Sequence, residues 1–146
     1  MRPALRRVAC DESGQAMVLV AIFMLGLMAV AGLVADGGML LVQRRDLQHT
    51  ADAAAAAGAM QLDQATYRAT GGSVIALDAS AASGAAIAYL IGEDGTDYAV
   101  RVDGTRVEVE VSRDASTAFL RVLGIAQVEI SARSVAEPRF GIWGGP

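Results

Sequence analysis

The chain has 146 residues, 53% of them hydrophobic, and a net charge of −4 carried without any lysine, since all 12 basic residues are arginine. An acidic balance does not suit a phosphate backbone, which sets nucleic acid aside as a partner. Without lysine no G-x-x-x-x-G-K-[ST] phosphate loop exists, and a single cysteine, Cys10, leaves no intramolecular disulfide and no Cys-rich zinc site.

Residues 1–15 carry Arg2, Arg6 and Arg7 and read as a cytoplasmic leader by the positive-inside rule; Arg44 and Arg45 follow only behind Asp36. Residues 16–35 are an unbroken apolar run, AMVLVAIFMLGLMAVAGLVA. At ~1.5 Å per residue such a helix spans roughly the 30 Å hydrocarbon core of a bilayer. Lipid would force it to be helical, because backbone polar groups find no partner there outside the segment. The lipid bilayer is thus the first partner expected. The expected location is the plasma membrane, single-pass, with the C-terminal part outside the cytoplasm. That outer part, from Asp36 onward, holds 14 acidic residues against nine arginines.

Three fates of this N-terminus stay open. The run exceeds the usual 7–15 residue signal core, which favours a permanent signal anchor. Ala29-Val30-Ala31 offers an A-x-A cleavage site before Gly32. A short Arg-rich leader ending in Gly14, directly before Gln15, has the shape of a prepilin leader, with Gly14 and Gln15 flanking the cleavage site.

Residues 36–70 predict an Ala-rich stalk helix continuing the membrane helix, with five alanines at 53–57. Gly37 and Gly38 are its weak point. Leu47, Ala51, Ala54, Gly58 and Leu62 recur at spacings of three and four, a helix-packing face that suits either another helix or the chain's own domain. Thr70-Gly71-Gly72-Ser73 marks the boundary to a small α+β extracytoplasmic domain over 71–137.

In that domain, residues 73–77 are a strand candidate. Asp78 or Ser80 caps a helix to about Ile91 that packs through Ala82, Ala86, Tyr89 and Leu90. Residues 98–102 and 105–112 form a hairpin about Asp103-Gly104, a type I′ signal, with Val107, Val109 and Val111 alternating against Arg106, Glu108 and Glu110. Asp114 is expected to cap a second helix to Leu123, with Phe119, Leu120 and Leu123 inward and Gly124 closing it. A last strand covers 127–135, stopped by Pro138, and 138–146, with Trp143, is a flexible tail. The expected fold is α+β and membrane-anchored: the transmembrane helix, its stalk, then an antiparallel or mixed sheet of three or four strands with two helices, arranged as a split βαβ if 73–77 is a strand.

No catalytic constellation emerges. The only histidine, His49, stands alone on the stalk, and Cys10 lacks a lipobox-like setting, leaving palmitoylation as its one modification option. The acidic stretch 93–97 lacks the spacing and closing glutamate of an EF-hand and reads as a polar connection. No catalytic, cofactor-binding or metal residue is assigned.

Glu12-Ser13-Gly14-Gln15, the apolar run, Val34-Ala35-Asp36-Gly37-Gly38, Gln43-Arg44-Arg45-Asp46-Leu47-Gln48 and Thr50-Ala51-Asp52-Ala53-Ala54-Ala55 together resemble the N-terminal region of TadE/TadG-like proteins of the Flp pilus (tight adherence) system. Phe119 to Ile125, between two valine-rich strands, is similar to the sheet region of many TadG-like chains. Processed members of the TadE kind carry a glutamate five residues after the leader glycine, where this chain has Leu19. The resemblance therefore implies a short, membrane-retained, TadG-like form: a non-enzymatic component of a Flp/Tad-type pilus or related secretion apparatus, acting in assembly or envelope anchoring. Its implied partners are other Tad/Flp assembly proteins or copies of itself, met through the membrane and stalk helices. The alternatives are a minor pseudopilin processed by prepilin peptidase, and a tethered or secreted binding module.

Overall fold

The computed structural model describes residues 12–138 apart from Asp94. Most of the leader with Cys10 and the tail with Trp143 lie outside the described residues.

A single helix, α1 (Glu12–Ala59), takes in the apolar run and most of the stalk. It has 48 residues, so it is about 72 Å long at the helical rise. Gly37 and Gly38 do not break it. The stalk expected to reach residue 70 ends instead at Ala59, because Asp63 begins a new helix, α2 (Gln64–Ala69). The Asp63 carboxylate accepts from the Ala65 and Thr66 amides and from the Thr66 hydroxyl. Such a side chain offers the backbone an alternative to the helical ladder. These bonds, that from the Thr66 hydroxyl foremost, hold Asp63 below the ordinary carboxylate range.

Residues 73–77 form no strand. Their only ladder contact is an isolated bridge between Leu77 and Leu62, and the Leu77 amide donates to the Gly104 carbonyl at the hairpin tip. Helix α3 (Ala79–Leu90) follows, its N-terminus capped by Asp78, which accepts from Ser80 and Ala81 at 3.0 Å each. Ala82, Ala86 and Leu90 are buried as expected, while Tyr89, 50% exposed, faces away.

Strands β1 (Asp97–Asp103), β2 (Arg106–Ser116) and β3 (Gln127–Ala136) make an antiparallel sheet in the order β1-β2-β3, a meander rather than a split βαβ. Asp103 pairs with Arg106, so the turn centres on Gly104 and Thr105, not on Asp103-Gly104. Of the two turn residues Gly104 has positive φ (57°) and Thr105 does not, the pattern of a II′ turn, which asks for it only at the first central position. Register and parity survive: Val107, Val109 and Val111 are wholly buried.

The helix expected after Asp114 is absent. Asp114 lies within β2 opposite Glu129, because the ladder with β3 continues to the pair Ser116 and Gln127 and takes up the backbone groups a helix would need. Only a 3₁₀ turn, Leu120–Leu123, remains of it, closed by Gly124 at φ 91°. The inner face of the sheet and α3 both pack on the second half of α1, and one core joins Leu47, Ala51, Ala54, Leu90, the β2 valines and Ile130.

Candidate functional site: an apolar helix and its clasp on the sheet

The two ends of α1 have different surroundings. From Gly14 to Ala31 every residue is exposed, including Met17, Leu19, Ile22, Phe23, Leu25 and Met28, so most of the apolar stretch stands clear of its own domain, with only its last turns beside the connection between β2 and β3. By length and composition α1 is able to cross a membrane. From Leu47 onward it is the central strut of the core.

The expected packing face is filled by the chain itself. Leu47, Ala51 and Ala54 are buried against the sheet and α3. A Cβ added at Gly58 would stand 2.9 Å from the Ala82 carbonyl oxygen and 3.0 Å from a Val107 methyl, so a residue without a side chain is what lets α3 and β2 approach α1 there. Leu62 lies beyond the end of the helix and is 37% exposed. Gly14 and Gln15 are exposed at the start of α1, with no neighbour within 4 Å of a Cβ built on Gly14. His49 is exposed, and among the described residues no group of three or more potential metal ligands is found. The acidic stretch 93–97 includes Asp94, outside the described residues.

The side chain that organises the junction is one that sequence reasoning passed over. Asp36, first residue after the apolar run, is 3% exposed. Its carboxylate accepts from the amides of Ala118 (3.0 Å), Phe119 (2.8 Å) and Leu120 (2.7 Å), three successive donors in the connection between β2 and β3. The Leu120 amide acts most strongly on the carboxyl, burial opposes it, and the Ala118 and Phe119 amides add to it, leaving Asp36 below the ordinary carboxylate range. One turn earlier Phe119 lies over Gly32, where a Cβ would come within 2.6 Å of the ring. Twelve residues further along α1, in its docking half, the Gln48 amide donates to the Arg133 carbonyl of the edge strand β3 and to Asp52. Asp36 had a signal, a lone acid ending an apolar run. Gln48 had none.

On the outer face of the sheet, Glu108 meets Arg133 at 2.8 Å and Arg101 at 3.7 Å, linking all three strands in solvent. No nucleophile, base or metal ligand set accompanies these groups. The arrangement is that of an apolar helix continued without a break into a small α+β domain. The comparisons with known proteins point the same way: residues 14–61 match the family described as "Putative Flp pilus-assembly TadE/G-like". The match takes in nearly all of α1 and therefore Asp36, Leu47, Gln48, Ala51, Ala54 and Gly58, while the segment 119–125 lies outside it. No curated protein and no solved structure matches the chain.

Proposed function

We propose that the protein is a non-enzymatic, single-pass membrane component of a Flp/Tad-type pilus or a related secretion apparatus, acting in assembly or envelope anchoring. The observation that carries this reading is the coincidence of the family match with a helix whose apolar half is free and whose other half is committed to a folded domain. The N-terminus lies in the cytoplasm, following its arginines, and the sheet domain is presented on the other side. Its partners are the bilayer and other Tad/Flp assembly proteins, or further copies of the chain, reached through the free half of α1 because the docking face is already filled.

A second reading, a processed minor pseudopilin, is supported by Gly14 and Gln15 standing exposed directly before the apolar run. Leu19, in place of the glutamate of processed family members, favours the first. The deciding measurement is the N-terminus and intact mass of protein recovered from membranes. A start near Met1 supports the anchor, a start at Gln15 replaces it with the pseudopilin, and a start at Gly32 in the soluble fraction overturns both in favour of a secreted binding module.

A further inference from the structure

The connection between β2 and β3 is the least soluble-looking part of the domain. Phe119 is 52% exposed, Val122 84% and Leu123 77%, and Ile125 is also exposed; none of them belongs to the core. In a water-facing loop this cluster is hard to account for. Its position supplies a reason. The turn lies beside the apolar half of α1, and Phe119, Leu120 and Leu123 form an open groove with Met28, Val30 and Leu33. Met28 and Leu33 precede Asp36 by eight and three residues, so the turn lies roughly 5–12 Å back along the helix from the end of the apolar run.

Resting on the membrane-anchor reading above, we propose that residues 119–125 are a second, interfacial membrane contact: Val122 and Leu123 enter the acyl-chain region of the leaflet nearer Asp36, and lipid fills the groove between turn and helix. The depth matches the ~5–10 Å to which interfacial apolar faces bury. The occupant follows from continuity, since the groove's helical wall is the apolar run itself. Arg121, exposed within the cluster, has the long stem that lets a charge reach the headgroups while its neighbours stay in lipid.

The backbone is prepared for such a place, where unpaired amides are costly. The Ala118, Phe119 and Leu120 amides donate to Asp36. The Thr117, Val122, Gly124 and Ile125 amides donate to the carbonyls of Ala126, Phe119, Arg121 and Leu120. The Thr117 hydroxyl donates to the Ile125 carbonyl across the neck. These bonds brace the loop while its apolar side chains stay exposed. Two attachment points in one bilayer would fix the tilt of the domain above it, which a single helix does not.

The test uses the full chain in a Cys10→Ser background, with one cysteine at a time at Leu25, Thr105, Val122 or Leu123, labelled with an environment-sensitive fluorophore. The labelled proteins are reconstituted in phosphatidylcholine and phosphatidylglycerol vesicles carrying doxyl lipids that quench near the headgroups or near the bilayer centre. Val122 and Leu123 are exposed, so neither change touches the core. The expected result is loss of fluorescence at 122 and 123, greater with the shallow quencher, loss at 25 greater with the deep one, and none at the hairpin tip, 105. Quenching at 25 without quenching at 122 and 123 overturns this proposal and leaves the anchor standing. If those two labels then emit as in an apolar environment, a second copy fills the groove instead. Absence of quenching at 25 overturns the anchor reading and this proposal with it.

Discussion

The two halves of α1 have nearly the same backbone and opposite fates. In the first, large apolar side chains point in all directions and are exposed; in the second, Leu47 and small residues on one face are buried, while Met39, Leu41 and Val42 share the exposed side with arginines, Asp52 and His49. Hydrophobicity alone therefore does not say where a helix packs. A helix apolar all round has no preferred face for a small domain to grip, whereas a narrow stripe of alanine and glycine lets α3 and the sheet come close and bury their valines. The larger share of apolar surface is left for lipid or for another helix.

Truncating a side chain on each half breaks the comparison most directly. Leu47→Ala is expected to destabilise the domain by about 2–5 kcal/mol, the usual cost of a core leucine, whereas Leu25→Ala leaves domain stability unchanged. Denaturant titration of the protein in detergent micelles, followed by sheet circular dichroism, measures both, and equal losses would mean the halves are not independent.

Glycines sharpen it. Gly58→Ala forces a Cβ against the Ala82 carbonyl and Val107, an overpacking worth about 1–3 kcal/mol. Gly26→Ala meets nothing within 4 Å and is expected to raise helix stability by up to about 1 kcal/mol. Melts followed by the sheet signal should fall for Gly58→Ala and stay unchanged for Gly26→Ala, whose gain is confined to the free half.

At the junction the effect is local. Asp36→Asn removes the charge that three amides share, and hydrogen exchange at Ala118, Phe119 and Leu120 should speed up while β2 amides opposite β1 keep their protection. The same loss is expected with acid. Because the folded carboxyl sits below its ordinary value, its stabilisation is fully present above the ordinary carboxylate range and disappears as pH falls through the lowered one. Loop exchange that proves insensitive to acid in the native protein would remove Asp36 from this role.

The smallest effect belongs to the exposed sheet face. Glu108→Gln breaks the pairs with Arg101 and Arg133 at a cost of about 0.2–1 kcal/mol, and salt should narrow the difference from wild type in the same denaturant titration.

Much of the fold was legible because its signals are local. A helix through 16–35, a helix cap at Asp78 or Ser80 and the valines of β2 are each announced by composition or period; the helix forms, the cap falls to Asp78 and the valines are buried. The misses share a different origin. Asp114 has the look of an N-cap, yet pairing with β3 kept it in a strand; residues 73–77 have strand composition, yet no strand edge reaches them. Whether a capping side chain or a β-prone segment acts as such depends on which distant backbone groups come within reach, and local chemistry does not carry that information.

By itself the sequence determined that one long apolar helix leads into a small sheet whose buried face is valine, because side-chain period and helix length follow from neighbours along the chain. Only the tertiary structure decided that Leu47, Ala51, Ala54 and Gly58 serve the chain's own core, that Asp36 clasps a loop more than 80 residues away, and that Val122 and Leu123 stand beside the apolar run. Each of these is a contact between segments far apart in sequence, made when the core closes over α1.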